Sequence, residues 1–242
     1  MSKRLKQKIV SWFPEYFRQK KHKKMKAFYA QFVKEGDLCF DIGGNEGNRT
    51  AVFLDLKSSV IVLEPQPVCL EILKQNFAEN KQVTIVPQAV GSSKGEQEMM
   101  LSNVSLVSSL STEFVAYFNQ FDELNWNDKT MVELITMDDL IKEFGLPDFC
   151  KIDVEGYEIE VLKGLSQAIP SLSFEFISPL RENIPICVEL LSALGRYEFN
   201  YSTYETMNLE LTEWEEKTVF LEKVAQIPTS VLHGDIYAKL IS

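Results

Sequence analysis

Histidine, cysteine and long apolar runs are all scarce in this chain, and each shortage closes off a class of protein. His22 and His233 are the only histidines among 242 residues. One lies in a basic head and the other near the C-terminus, which disfavours a histidine base and leaves His233 as the open candidate for one. The four cysteines, Cys39, Cys69, Cys150 and Cys187, are widely spaced, with no CxxC among them, so no disulfide framework is written into the chain. Cys39 and Cys150 fall in apolar strand-like runs, where a free thiol packs as a small hydrophobe. Apolar runs stay far below the ~18 residues of a membrane span. The N-terminus also lacks the apolar stretch and small-residue cleavage site of a secretory signal, so a cytoplasmic protein is expected.

What is present is enough apolar material, 45% of the residues, for one α/β domain with a sizeable core and too little chain for two ordinary ones. Charge is unevenly spread. Residues 1–26 hold ten Lys or Arg and only Glu15, whereas the rest of the chain holds fifteen basic and thirty-four acidic residues. An acidic body argues against nucleic acid as the main partner, because such binding rests on basic grooves. In the head, Leu5, Ile9, Trp12, Phe13, Tyr16 and Phe17 recur at helical spacing between basic residues, with an interruption at Pro14. Such a stripe can lie on an anionic membrane surface as a peripheral contact. The plainer reading is a leading helix packed on the domain, and Met25, Phe28, Tyr29 and Phe32 continue the stripe up to Gly36. Residues 1–35 are thus expected as a basic helical extension and 36–242 as the main domain.

From Asp37 onward strand and helix alternate: LCFDI (38–42), a helix from about 48 to 56, VIVLE (60–64), a helix over 67–77 opened by Pro67, and VTIVP (83–87). Short β-rich runs separated by helices, without repeats, predict βαβ units and a parallel sheet covered on both faces. A turn at Gly91 to Gly95 leads into an extra strand at 96–101. Beyond it lies a long polar connection, Ser102 to Met131, in which Phe114, Tyr117, Phe118 and Phe121 share one helical face. Core packing explains that stripe more economically than a substrate cage, although longer insertions at the cofactor end of a sheet often form lids. Further strands are expected at Phe149–Ile152, LSFEF (172–176), Tyr201–Tyr204 and Asp235–Ile241, with a helix over Ile186–Leu194. Thr212-Glu213-Trp214-Glu215 reads as a capping box opening an acidic helix.

Two segments carry chemistry. In FDIGGNEGNRT (40–50), Gly43 and Gly47 let the chain turn tightly at a strand end and approach a ligand closely, in the crevice where parallel sheets bind cofactors. Glu64 ends the next strand, 23 residues after Asp41, placed to accept both hydroxyls of a ribose and to repel a phosphate. A glycine turn also serves plain packing, and an acid at a strand end also caps helices. The spacing of all these groups favours a cofactor. Asp41 distinguishes which one, because a pyrophosphate prefers glycines and helix amides. A carboxylate in the loop suits an ammonium-bearing ligand such as S-adenosylmethionine. The second segment, KIDVEGYEIEVLKG (151–164), ends a buried strand at Asp153.

With VLEP (62–65), QAVGSSKGE (88–96), VSSL (107–110) and ITMDDL (135–140), these segments resemble the FkbM-type S-adenosylmethionine-dependent methyltransferases from about Gly36 to Gly164. The resemblance implies a Rossmann-like class I methyltransferase fold, with a mostly parallel seven-stranded sheet, one antiparallel edge strand and helices on both faces. It also implies O-methylation of a sugar, glycan or secondary-metabolite hydroxyl. By that resemblance Asp41, Gly43, Asn45 and Gly47 hold the methionine moiety and Glu64 the ribose. Ala89 and Val90 lie beside the adenine, and Ser109, with Ser108, meets cofactor or acceptor. Turn hydroxyls are the plainer reading of the two serines.

Methyl transfer from a sulfonium needs alignment and removal of a proton more than a strong base. Asp153 is the first candidate for that proton or for positioning the acceptor, and Glu175 in LSFEF the second. Asp153 as a helix N-cap worth ~1 kcal/mol, and Glu175 as a paired core charge, are the competing assignments. Asp153, Glu155 and Glu175 also form an oxygen set of the kind Mg²⁺ favours, but carboxylates alone do not establish a metal and none is assigned. Two other functions share parts of the pattern: a nicotinamide-dependent Rossmann oxidoreductase, which Asp41 and KIDVEG disfavour, and a non-catalytic cofactor-binding or membrane-associated scaffold.

Overall fold

A computed structural model describes residues 19–103, 108–120, 126 and 128–241. Helix α1 covers residues 19–29. There follow β1 (Leu38–Ile42), α2 (Asn48–Asp55), β2 (Ser59–Leu63), α3 (Pro67–Phe77) and β3 (Val83–Val86). The three strands pair in parallel, as the alternation predicts. Runs such as SVIVL, buried on both faces after the first residue, suit the interior of a covered sheet. Pro67 stands at the start of α3, where its missing N–H costs nothing.

The chain then leaves the main sheet for a small one made by β4 (Ala89–Val90), β5 (Gly95–Leu101) and β6 (Asp128–Ile135), with β6 in the middle. Strand β5 is the expected extra strand. Its partner β6 was not anticipated and takes the end of what read as a polar connection reaching Met131. Between them, α4 (Thr112–Phe118) buries only Phe114, and Phe121 lies outside the described residues. Helix α5 (Met137–Phe144) starts on a full capping box, in which Thr136 Oγ1 accepts from the Asp139 amide at 3.1 Å.

Back in the main sheet come β7 (Phe149–Ile152), α6 (Glu158–Lys163), β8 (Ser171–Ile177), α7 (Asn183–Leu194), β9 (Tyr197–Thr203), β10 (Glu215–Glu216), α8 (Lys217–Val224) and β11 (His233–Leu240). The order is β10-β9-β11-β8-β7-β1-β2-β3, so the sheet has eight strands where seven were expected. The eighth is the two-residue β10, antiparallel to β9. The antiparallel strand expected at an edge is β11, and it lies inside the sheet, antiparallel to both β8 and β9. Strand β10 also overturns the capping box at Thr212. Because Glu215 and Glu216 pair with β9, α8 begins only at Lys217, with Glu216 as its N-cap.

Apolar side chains fill both faces. Ile42, Leu63, Ile152 and Phe174 join residues of α5, α6, α7 and α8 on one side. On the other, Met25, Phe28, Tyr29 and Val33 pack with Val52, Phe53, Leu73, Phe149 and Tyr237. Phe28 meets Tyr237 with ring centroids 5.3 Å apart, and Phe32 stacks on Tyr237 at 5.1 Å and on Phe149 at 5.5 Å. Over residues 19–35 the leading segment therefore shares the core of the domain that follows it. The stripe from Leu5 to Phe17 lies outside the described residues. Among the described residues no helix is long and apolar enough to cross a membrane.

Candidate functional site

The carboxyl ends of β1, β2, β7 and β8 open into a cleft of about 600 Å³, lined by Asp41, Gly43, Asn45, Glu64, Ala89, Val90, Asp153 and Glu175 together with groups at its mouth. The loop leaving β1 is shaped by close approach. Gly43 has φ +80°, and a Cβ there would overlap the carbonyl oxygen of Asp153, so only glycine lets the β1 and β7 loops meet. The Gly43 amide donates to the Leu63 carbonyl at 2.9 Å, as the Asp153 amide does to that of Ile42. Gly47, at φ +85°, precedes α2, and a Cβ there would overlap the Phe77 ring. It does not line the cleft; its part is to seat α2 under α3.

Asp41 is buried, and its Oδ2 accepts from the Thr50 hydroxyl at 2.6 Å. Burial raises its pKa, against the bond from Thr50 and the charge of Arg49. Glu64 is held by two backbone amides, Gln66 at 2.7 Å and Asn45 at 2.9 Å. Burial nevertheless lifts it to about 7. The two carboxylates that the sequence pairs therefore face one cleft, Asp41 fixed by Thr50 of α2 and Glu64 by amides of its own loop and of the loop after β1.

Asp153 is not a helix N-cap, because α6 begins at Glu158 after Tyr157. Its carboxylate is an ion-pair partner: Lys151 Nζ lies 3.0 Å from Asp153 Oδ2 and 2.8 Å from Asp235 Oδ1. Burial alone would raise Asp153, but the charges of Lys151 and Arg49 hold it below the ordinary carboxylate range. Glu175 has the opposite balance. Burial and the Asp153 charge push it well above its usual value, one of its oxygens is buried without a hydrogen-bond partner, and the other lies 3.7 Å from His233 Nδ1. Glu155 is raised for the same two reasons. One carboxylate oxygen from each of Asp153, Glu155 and Glu175 lies within 4.8 Å of the others, a spacing that one hard cation could bridge. The pKa values of neighbouring acids are thus driven apart, Asp153 toward its ionised form and Glu155 and Glu175 toward their protonated forms, which is how acid and base roles separate.

At the mouth, Arg49 donates to Tyr29 Oη at 3.3 Å and pairs with Glu205 at 2.7 Å, while Lys21 lies 3.4 Å from the same carboxylate. Phe114, Phe118, Leu232 and His233 complete the rim. Phe114 thus serves the small core it shares with Trp126, Ile177 and Leu180 and the cleft as well. Ser108 lines the cleft. Ser109 does not: its hydroxyl donates to the Glu155 carbonyl at 2.6 Å and accepts from the Ser111 amide at 2.8 Å, bracing the Glu155 loop. Sequence reasoning passed over Arg49, Lys151, Glu205 and Asp235. The one available signal was a lysine inside the otherwise apolar run FCKI.

The methyltransferase FkbM domain model matches residues 41–211. Hexuronic acid methyltransferase AglP of Haloferax volcanii is 25% identical over 147 residues, covering 60% of this chain and 56% of that protein. The chain spans less than two thirds of the length of the curated relatives it matches. Among solved structures, a precorrin-6y C5,15-methyltransferase from Geobacter metallireducens superposes with TM-score 0.47 at 13% identity, covering 93% of this chain and 86% of that one. Fibrillarin of Aeropyrum pernix, solved with natively bound S-adenosyl-L-methionine, gives 0.44 at 10% identity, covering 86% and 68%.

Proposed function

The chain belongs to the FkbM methyltransferase family, and on that premise we propose that it methylates a hydroxyl of a sugar, glycan or other small-molecule acceptor, with S-adenosylmethionine as cofactor. The observation carrying the reading is that Asp41, Gly43, Asn45 and Glu64 line one cleft together with Asp153 and Glu175. The residues fit the cofactor chemically. Two buried carboxylates suit an ammonium, a sulfonium and a ribose diol, and they disfavour the pyrophosphate of a nicotinamide dinucleotide. Asp41 and the Gly43–Asn45 turn would hold the methionine portion and Glu64 the ribose, with Ala89 and Val90 beside the adenine. Gly47 and Ser109 act behind this surface, through the loop and helix they brace.

When bound, S-adenosylmethionine supplies an electrophilic methyl group. The protein aligns the acceptor oxygen, excludes water and accommodates the released proton. Asp153 is the ionised group placed to accept the hydrogen bond of the acceptor hydroxyl and then its proton. Glu175, biased toward its protonated form by burial and the Asp153 charge, is placed to donate a hydrogen bond to the acceptor. The hexuronic acid methyltransferase among the relatives supports a sugar acceptor.

Calorimetric and thermal-shift titration with S-adenosylhomocysteine and NAD tests the cofactor. At 100 times its dissociation constant the true ligand stabilises by ~2.7 kcal/mol. Stabilisation by NAD with none by S-adenosylhomocysteine refutes the proposal. Labelled-methyl incorporation across a panel of sugars then tests the acceptor class.

A further inference from the structure

Lys151 is wholly buried on β7, between β1 and β8 in the middle of the sheet, and its ammonium is surrounded by acceptors. It approaches Asp235 Oδ1 at 2.8 Å and Asp153 Oδ2 at 3.0 Å, and donates to the Ile152 carbonyl at 3.2 Å. Three acceptors for three protons leave the group no freedom to turn. Burying a lysine is costly, and well-packed apolar replacements of buried ion pairs are often neutral or stabilising. Stability alone is therefore a poor reason for a lysine at this place. Lys151 does not line the cleft, whereas Asp153 does.

We infer that Lys151 is a positioning residue for methyl transfer, fixing the Asp153 carboxylate toward the acceptor while Asp235 fixes Lys151 from β11, two strands away across β8. The inference rests on the methyltransferase reading above and adds to it a residue that touches neither cofactor nor acceptor. Asp235 is suited to the part: it lies on β11 opposite Glu175 of β8, its side chain is 9% exposed, and Tyr237 Oη donates to its other oxygen at 3.4 Å. Asp153 is tied at its backbone to β1, so the side chain is the part left for Lys151 to orient.

The test is a double-mutant cycle on the full chain, with Lys151→Met, Asp153→Asn and both together, each assayed for S-adenosylhomocysteine affinity and for kcat and KM of methyl transfer. Positioning predicts that Lys151→Met lowers kcat by about 100-fold, with cofactor affinity changed by less than about threefold. In the Asp153→Asn background the same change should cost less than about threefold, because the group it acts through is already lost. Additive losses, or a loss confined to cofactor affinity and thermal stability, overturn the inference. If Lys151→Met does not fold, Asp235→Asn keeps the lysine and carries the test. It should lower kcat by about three- to tenfold in the native background and leave kcat unchanged beside Asp153→Asn; equal losses in both overturn the inference. A native chain that binds S-adenosylhomocysteine and transfers methyl groups, beside a Lys151→Met variant of normal kcat, sinks the inference alone. A native chain that transfers none sinks the underlying reading and the inference with it.

Discussion

Protonation of Glu64 should weaken cofactor binding close to neutral pH, while the free protein becomes more stable over the same range. The carboxyl is 2% exposed, and burial raises it from 4.5 to about 7, against hydrogen bonds from the Gln66 and Asn45 amides. Above that value it is a carboxylate able to accept from both ribose hydroxyls. If only this form binds, about nine-tenths of the protein is competent at pH ~8 and about one-tenth at pH ~6. The affinity difference is then about tenfold, or ~1.4 kcal/mol. Folding responds with the opposite sign. In the unfolded chain the group ionises near its ordinary value, so as pH rises from about 4.5 to about 7 the unfolded state sheds its proton first. The native state then loses ~3 kcal/mol that is fully present below the lower value. Titration calorimetry with S-adenosylhomocysteine, and thermal unfolding with and without it, read the two trends from pH ~5.5 to ~8.5. Glu64→Gln cannot ionise and should remove the affinity slope, while the stability slope shrinks by this group's share and keeps that of Glu158, which burial also lifts to about 7, and of the raised Glu155 and Glu175. A native affinity that is flat across the range, or a Gln variant that keeps the native affinity slope, refutes the reasoning.

Other substitutions address the remaining parts of the cleft and core. Gly43→Ala forces a side chain into a left-handed conformation and against the Asp153 carbonyl; it should destabilise by ~1–3 kcal/mol in urea unfolding and weaken S-adenosylhomocysteine by more than about tenfold. Asp41→Asn keeps an acceptor for Thr50 but removes the charge, so affinity should drop about tenfold with the melting temperature nearly unchanged. Phe28→Ala empties a core site shared with Tyr29 and Tyr237 and should cost ~3–5 kcal/mol; a cost below ~1 kcal/mol would show that α1 is dispensable to the core.

What could be read from the residues was whatever depends on neighbours in sequence. LCFDI, VIVLE and the glycine turn between them declared the β1-α2-β2 unit, and the distance from Asp41 to Glu64 followed from that unit's length. The place of Asp153 at a strand end was legible because the buried run before it passes into a polar motif. What could not be read depends on pairing at long range. Strand β6 looked like part of a polar connection because it alternates exposed and buried residues at the surface of a small sheet. Thr212 showed the letters of a capping box, but β10 claimed the residues that would have opened the helix. Ser109 resembled a site residue, yet its hydroxyl is consumed in bracing the loop that carries Glu155.

The charge network around Lys151 shows most clearly why. A lysine in FCKI has no local partner, and its meaning arrives with Asp235, more than eighty residues later. That arrival depends on register. Strand β11 enters between β8 and β9 with Asp235 opposite Glu175 and Ser202. Because side chains alternate across a strand, a slip of one residue would replace Asp235 by Gly234 or Ile236 and turn the carboxylate to the other face. Lys151 would then keep Asp153 as its only carboxylate partner and lose the anchor that fixes it. The antiparallel insertion of β11 thus does more than close the sheet: it brings a second acid to the one lysine that orients the first.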